Sequence, residues 1–272
     1  MMLPVMAMII IFHYIPMYGI RYAFYDFTPF SQKYIGLKNF VDLFGDRRFL
    51  SAFGNTVYLS LVNMALGTVC SIVLALLLNE LQYIYFKKVC QTIVYIPHFI
   101  SWVVTASIFT ILLSPSGGFV NDIIGMFHVK PIYFLASEKW WTPIFLFICR
   151  WKDTGWGTII YLAALAGVNP DLYEAASIDG AGRLKQTWHV TLPGIMNTIL
   201  VVVILDLAKV LNLFEPVFVL TNSMVVDVSE VIETYVYKKG LIQSDYGYST
   251  AVGLFKSVIS MILILITNRL SK

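Results

Sequence analysis

The chain has 272 residues, of which 58% are hydrophobic and 13% are charged, and its mean hydropathy is +0.75. A chain this apolar cannot present a water-soluble surface, so the composition excludes an ordinary soluble domain and indicates a membrane protein. The formal net charge of +3 is small, and no run of basic residues points to nucleic acid. The three cysteines lack C-x-x-C spacing and the four histidines are scattered, so neither a disulfide framework nor a metal site is indicated.

Six apolar runs are long enough to cross about 30 Å of hydrocarbon as helices. They lie near Met1–Ile20, Phe53–Asn79, Val89–Leu113, Trp141–Val168, Ile195–Leu220 and Thr250–Asn268. Helices are expected because lipid offers backbone groups no hydrogen-bond partner. We therefore predict an all-α, polytopic membrane protein in which residues 1–272 form one transmembrane domain.

The first run is predicted to be a span rather than a cleaved signal peptide. No basic residue precedes it, and no small-x-small cleavage pattern lies ahead of Arg21. Since Met1–Pro4 is already apolar, we expect a further polar segment to precede it. In the predicted topology Lys88 and Arg183 lie in loops on one side, which the positive-inside rule assigns to the cytoplasm.

Charges interrupt the fourth run. The tract Arg150–Gly157 contains Lys152 and Trp156 among other charged and aromatic residues. Charged residues inside a bilayer are costly and mark candidate water-filled pathways. The tract either lines such a cavity or forms an interfacial belt from which its charges reach water.

The fifth run contains four polar residues at three-residue steps, Asp206, Lys209, Asn212 and Glu215. At this spacing they turn around about half of a helix, so they share one narrow cavity only if the helix unwinds near Pro216. Asp206 and Lys209 could instead neutralise each other one turn apart. The sequence supports both interpretations equally.

A polar loop, residues 169–194, separates the fourth and fifth runs and is predicted to form two short helices with a hinge. Asn169 can cap the first helix and Pro170 suits its first position. Gly180 can turn the chain where a residue with a Cβ would be strained. Pro193 is expected to stop the second helix before the next span.

The first of these helices has the chemistry of a docking surface. Ala175 and Ala176 allow another protein to approach closely, and Glu174 can fix the orientation. An amphipathic connector lying on the membrane surface is the alternative. An alanine face buries little apolar area, which favours docking to a protein.

The polar loop resembles the EAA loop of ABC-importer permeases. The family pattern is an E-A-A triplet, an Asp-Gly-Ala turn and a later Leu-Pro, and the loop has each element at matching spacing. Further motifs, at Asn55-Thr56, Ile159–Leu165, Thr234–Tyr237 and Ala251–Ser257, look like carbohydrate-importer permeases. The chain is most similar to the branch serving polysaccharide-derived and aldouronate-type oligosaccharides, including alginate importers.

The resemblance implies a permease subunit of a type I ABC importer of the maltose/glycerol-phosphate type in the bacterial cytoplasmic membrane. Its implied partners are a second, usually different permease, two cytoplasmic ATPases and an external substrate-binding protein. The chain lacks G-x-x-x-x-G-K-[ST], so we expect it to bind no cofactor and to be no enzyme, with ATP and Mg held by the ATPases. The residues implied to couple to the ATPases are Glu174, Ala175, Ala176, Asp179, Gly180, Ala181, Leu192 and Pro193.

An oligosaccharide is the expected cargo because sugars need both flat apolar contacts and hydrogen-bonding groups. The candidate pathway residues are Lys152, Trp156, Asp206, Lys209, Asn212 and Glu215. A preference for acidic, uronate-type sugars is a hypothesis that rests on the branch resemblance and on Arg150, Lys152 and Lys209.

Two other classes of membrane protein share part of this pattern. An ion-coupled secondary transporter would also carry intramembrane charges, but it commonly has broken helices in paired repeats, and only one interrupted run is visible. A membrane-embedded enzyme would need a constellation such as H-E-x-x-H or a Ser-His arrangement, and the sequence has no such motif.

Overall fold

The computed structural model describes residues 2–270, and its regular structure is almost entirely helical. Met1, Ser271 and Lys272, at the ends of the predicted domain, lie outside the described residues. The elements are α1 Leu3–Phe24, β1 Tyr25–Thr28, β2 Ser31–Tyr34, α2 Lys38–Gly45, α3 Arg47–Asn79, α4 Ile84–Phe99, α5 Trp102–Leu112, α6 Phe119–Met126, α7 Glu138–Leu165, α8 Pro170–Ile178, α9 Arg183–Ala208, α10 Glu215–Leu220, α11 Val226–Ser229, α12 Ile232–Tyr237 and α13 Tyr246–Leu270. The two strands pair antiparallel as a hairpin.

Each of the six predicted runs is largely helical, although two of them are broken. Helices α1, α3, α9 and α13 are each long and apolar enough to cross a membrane. Helices α4 and α5 together form a fifth segment of this kind, bent by 102°. Helix α7 has 28 residues, which is long enough, but the charges between Arg150 and Asp153 lower the hydropathy of its middle.

The third predicted run, Val89–Leu113, is therefore not one straight helix. Helix α4 ends in a 3₁₀ turn that contains Pro97, and Ile100 is extended with ψ 134°. A new helix then begins because the hydroxyl of Ser101 accepts a hydrogen bond from the amide of Val104 at 3.3 Å. The apolar run continues through this bend, so hydropathy alone does not reveal it.

The fifth predicted run is also broken, between Lys209 and Phe214. Helix α9 ends at Ala208, and α10 restarts with Pro216 in its first turn. A proline there lacks an amide donor, and its ring would clash with the carbonyl of Asn212 in a continuous helix. The helix is therefore unwound just before Pro216, close to the position predicted from the sequence.

The prediction that Pro193 stops a helix is wrong, because α9 runs without interruption from Arg183 to Ala208. The turn before the proline is a π-helix, Thr187–Thr191, in which the amide of Leu192 reaches the carbonyl of Thr187. This wider turn accommodates the missing donor and the bulk of the ring. The same arrangement precedes Pro16 in α1.

The core follows α3, which packs along α7. Its central cluster includes Leu59, Trp141, Phe145 and Ile148, all fully buried. The indole of Trp141 donates to the carbonyl of Leu220 at 3.0 Å, which ties α7 to the end of α10. Smaller clusters lie at the two ends of α3.

Asp46 caps the first turn of α3. Its carboxylate accepts from the amide of Arg48 at 2.8 Å and from the hydroxyl of Tyr235 at 2.5 Å. Burial pushes the pKa of Asp46 upward, but the bonds from Tyr235 and from the amides of Arg48 and Phe49 outweigh it and hold the pKa below its ordinary value. Burial and the same bond to Asp46 raise the pKa of Tyr235.

We expect Asp46→Ala to lower the free energy of unfolding by about 1–2 kcal/mol, because the helix loses its cap. A depressed pKa means that this contribution is present at neutral pH and is lost as the pH falls through the folded-state value. Thermal melting of the purified protein in lipid nanodiscs measures both effects. Asp42→Ala, which changes an exposed carboxylate in α2, is the matched control, and equal melting of both variants would contradict the capping role.

Candidate functional site: a polar cavity and an exposed loop

A cavity of about 450 Å³ lies between α3, α7, the end of α9 and the unwound segment that follows α9. Its lining is unusually polar for the middle of apolar helices. The polar and charged lining residues are Ser60, Asn63, Thr68, Ser71, His98, Arg150, Asp153, Trp156, Tyr161, Asp206, Lys209 and Asn212. The cavity falls within the range of about 300–1,000 Å³ that is typical of ligand sites.

Arg150 enters this cavity from α7. Its Nη2 donates to the side-chain oxygen of Asn63 at 2.6 Å. The guanidinium lies directly against Gly67, where a Cβ would clash with Nη1. Its Nε is buried and has no hydrogen-bond partner. A glycine and an amide on α3 therefore form the seat for this cation.

His98, at the end of α4, forms a second wall of the cavity with two residues of α7. Its Nδ1 lies 3.2 Å from the carboxylate of Asp153. Its ring stacks on Trp156 with centroids 4.5 Å apart and planes 5° from parallel. This flat aromatic surface beside a carboxylate suits a sugar ring, which offers both C–H faces and hydroxyl groups.

Asp206 in the last turn of α9, and Lys209 and Asn212 in the unwound segment that follows, lie together on the cavity. Within the described part of the chain, no ion pair joins Asp206 to Lys209. The direct ion pair between these two residues that the sequence allowed is therefore not formed. Glu215 begins α10 and does not line this cavity.

Lys152 also lies outside the cavity. It is 5% exposed, and its Nζ donates to the carbonyls of His98 at 2.7 Å and Ile100 at 2.5 Å. These carbonyls already satisfy the ammonium group, so nothing in this geometry supports contact of Lys152 with a cargo. The sequence shows a charge within a span but not the direction in which it points.

Several residues that line the cavity were not predicted from the sequence. Tyr161 is 1% exposed, and its hydroxyl has no hydrogen-bond partner, as is also true of the hydroxyls of Ser60 and Thr68. The sequence does contain a pattern that indicates the cavity face of α3, because Ser60, Gly67 and Ser71 recur at helical spacing on one face.

Among the described residues, no group of three or more His, Cys, Asp or Glu side chains could hold a metal ion.

The polar loop lies at the other end of α3, where Arg183 forms a 3.5 Å ion pair with Glu80. Helix α8 begins at the cap of Asn169, whose side chain accepts from the amide of Asp171 at 3.0 Å. It ends in a Schellman motif, in which the amide of Ala181 bonds to the carbonyl of Ala176 at 2.8 Å. Gly180 has φ +75° in this motif, so the chain turns there in a conformation that would strain a residue with a Cβ, as predicted.

Side-chain hydrogen bonds stabilise the turn between α8 and α9. The amide of Gln186 donates to the hydroxyl of Ser177 at 2.9 Å and to the carbonyl of Ala181 at 3.0 Å. The hydroxyl of Tyr173 donates to that of Thr191 at 3.1 Å. Helix α8 is therefore fastened to the start of α9 across the turn.

The loop nevertheless exposes large apolar side chains. Ile178 is 88% exposed, Leu184 is 78% exposed and Trp188 is 67% exposed. Glu174, Ala175, Asp179 and Pro193 are exposed as well, whereas Ala176, Ala181 and Leu192 are half-buried. Leu192 packs on the cluster of Ala75, Tyr161, Leu165 and Ile195.

Comparison with known proteins identifies the family. Residues 67–272 match the family described as binding-protein-dependent transport system inner membrane component. The chain belongs to this family. It is 45% identical over 277 residues to the polygalacturonan/rhamnogalacturonan transport system permease protein YteP of Bacillus subtilis strain 168, and the match covers 100% of this chain and 86% of YteP.

Two solved structures share the fold over the whole chain. One is a bacterial ABC transporter involved in the import of the acidic polysaccharide alginate. The other is the bacterial alginate ABC transporter in complex with an alginate pentasaccharide-bound periplasmic protein. Each is 38% identical with a TM-score of 0.94, and the match covers 100% of this chain and 93% and 92% of the two matched chains.

This family membership makes the chain a multi-pass, inner-membrane permease subunit of an ABC transporter, in which a partner subunit hydrolyses ATP. The type I importer fold predicted from the sequence is confirmed. The comparisons give the ion-coupled alternative no support.

Gly67→Ala tests the seat of Arg150, because a methyl group there clashes with Nη1. We expect the guanidinium to leave Asn63 and uptake by the assembled transporter in proteoliposomes to fall by about tenfold, the usual scale of losing a hydrogen bond to a charged group. Gly54→Ala, on the same helix with nothing within 4 Å of the added Cβ, is the control. Equal uptake by the two variants would contradict this role of Gly67.

Proposed function

We propose that this permease moves an acidic, uronate-type oligosaccharide across the membrane along the cavity of Arg150, Trp156, Asp206, Lys209 and Asn212. The observation that carries the proposal is the state of Arg150. Its guanidinium is held by a neutral amide, its Nε lacks a partner, and none of the described carboxylates forms an ion pair with it. A partly buried cation of this kind favours a carboxylate, which an arginine can bind through two parallel hydrogen bonds.

The remaining charges of the cavity suit a sugar acid better than a simple anion. Lys209 adds a second cation, while Asp206 adds a carboxylate that can accept from sugar hydroxyls. The stacked pair of His98 and Trp156 offers the flat apolar surface. A small inorganic anion would use the cations and leave these other groups without a role.

The relatives support the same chemical class. YteP is named as a permease of a polygalacturonan/rhamnogalacturonan transport system, and one solved neighbour is described as a transporter involved in the import of the acidic polysaccharide alginate. These are all polymers that contain uronic acids. Two of the three cations that suggested an acidic cargo from the sequence line the cavity, and Lys152 does not.

The coupling role of the polar loop is part of the proposal. Its exposed apolar side chains and the rigid Gly180 turn fit a knob seated in a groove of a cytoplasmic ATPase, with Glu174, Ala175, Ala176, Asp179, Ala181, Leu192 and Pro193 forming or supporting it. The two ATPases would bind ATP and Mg, and this chain would bind no cofactor. A second, different permease and an external substrate-binding protein complete the proposed assembly.

The cargo is tested with the complete transporter and its binding protein in proteoliposomes. An oligogalacturonate and its fully methyl-esterified counterpart of equal length are compared as stimulators of ATP hydrolysis. We expect the acidic form to stimulate hydrolysis more, and Arg150→Gln to reduce that stimulation by about tenfold.

Lys139→Gln, which neutralises an exposed cation on the same helix, is the matched control and should keep the preference. Equal stimulation by the two oligosaccharides would refute the acidic preference. An Arg150→Gln variant that keeps the native preference would remove Arg150 from the proposal.

The hinge is tested with a glycine pair. Gly180→Ala forces a residue with a Cβ into φ +75°, at a cost of about 1–2 kcal/mol, whereas Gly182 has φ −70° and open space around it. We expect Gly180→Ala to lower uptake per ATP hydrolysed, and Gly182→Ala to leave it unchanged.

Glu174→Arg, which reverses the charge of the knob, should uncouple hydrolysis from uptake while the subunit still inserts. Unchanged uptake per ATP in Gly180→Ala and Glu174→Arg would count against coupling through this loop.

A further inference from the structure

The bend between α4 and α5 is a corner of the backbone lodged among apolar helices. The chain turns there by 102° between Phe99 and Trp102. The last carbonyls of a helix lack partners within the helix, and leaving them unpaired in apolar surroundings is costly. The corner therefore needs donors from elsewhere in the protein.

Lys152 supplies these donors. Its Nζ lies 3.3 Å from the carbonyl oxygen of Pro97, 2.7 Å from that of His98 and 2.5 Å from that of Ile100. An ammonium group has three N–H donors, so three carbonyls match its capacity. A positive charge at the C-terminal end of a helix also interacts favourably with the helix dipole.

The same lysine contacts both arms of the bend. Its Nζ lies 5.4 Å from the ring centroid of Trp102, the first residue of α5. One turn further along α7, Gly155 lets the backbone of α4 approach so closely that a Cβ would clash with the carbonyl of Val94. The corner is thus held against α7 by the ammonium group of Lys152, and Gly155 allows the close approach because it has no side chain.

This corner places one wall of the cavity. His98 belongs to it, and its ring contacts Asp153 and Trp156, which lie one and four residues after Lys152 on α7. If the corner moved away from α7, the imidazole would lose both its carboxylate partner and its stacking partner. The position of the aromatic surface therefore depends on Lys152, although Lys152 does not line the cavity.

We propose that Lys152 is a positioning residue for transport, which clamps the bent α4–α5 corner so that His98 and Trp156 form one wall of the translocation cavity. The proposal rests on the proposed function insofar as that cavity is the cargo pathway. It assigns Lys152 a contact with the backbone and none with the cargo. If Lys152 bound the cargo, its replacement would reduce uptake of an acidic cargo more than uptake of a neutral one. If Lys152 only positions the corner, its replacement reduces uptake of both cargoes equally.

The first experiment measures the corner itself and needs no cargo. His98→Cys and Asp153→Cys are combined in a transporter whose Cys70, Cys90 and Cys149 are replaced by alanine, and a short thiol cross-linker is applied. We expect Lys152→Met to lower the cross-linking yield by about tenfold, the scale of losing hydrogen bonds to a charged group, whereas Lys152→Arg, which keeps donors and charge, retains most of it. Lys139→Met, at an exposed position of α7, is the control and should leave the yield unchanged.

The second experiment measures uptake in the native-cysteine transporter. We expect Lys152→Met to reduce uptake of an oligogalacturonate and of its methyl-esterified counterpart by the same factor. A loss confined to the acidic form would overturn the proposal and make Lys152 a cargo ligand. Cross-linking that is unaffected by Lys152→Met would overturn it as well.

Gly155→Ala provides an independent variant if Lys152→Met does not assemble. It separates α4 from α7 at the carbonyl of Val94 and leaves Lys152 in place, so it should reproduce the loss of cross-linking. An unchanged yield in Gly155→Ala would then contradict the fitted corner. Failure of both oligosaccharides to stimulate the native transporter would refute the proposed function alone, because the cross-linking result does not depend on cargo.

Discussion

The close packing of α3 against α7 is the contact on which the cavity depends. Small residues allow it, because a Cβ at Gly157 would clash with Ser71, and the hydroxyl of Ser71 donates to the carbonyl of Thr154 at 3.3 Å. Helices in lipid gain little from the hydrophobic effect between them, so such close backbone contacts and interhelical hydrogen bonds hold them together. The same approach brings Arg150 against Gly67, and so a requirement of packing also places the main cation of the cavity.

The sequence predicted the class, the helical runs and the chain turn at Gly180, because hydropathy and turn chemistry are local properties of the chain. It did not predict the corner after Phe99, where the apolar run continues and the stabilising donor is Lys152, 52 residues from Ile100. It also misplaced the effect of Pro193. Here the turn before the proline widens and the helix continues, and this π-turn has no evident sequence signal.

The candidate site was predictable as far as helical phase was considered. On α7, Arg150, Asp153, Gly157 and Tyr161 recur at steps of three and four residues and share the face that lines the cavity. Lys152 falls to one side of that stripe, which a helical projection would have shown. The convergence of this stripe with Asp206 and its neighbours after α9 depends on unwinding and tertiary packing, which composition and spacing do not specify.

Helix α9 joins the two functional regions, because it runs from Arg183 beside the hinge to Ala208 beside the cavity. Its first turns are joined to the end of α8 and to the turn after it by the hydrogen bonds of Gln186 to Ser177 and Ala181. Its far end leads directly into the unwound segment, whose Lys209 and Asn212 line the cavity. Under the proposed coupling, motion at an ATPase would therefore reach the cavity through one continuous helix. At the break after Ala208, that motion would change the positions of Lys209 and Asn212 relative to the cargo.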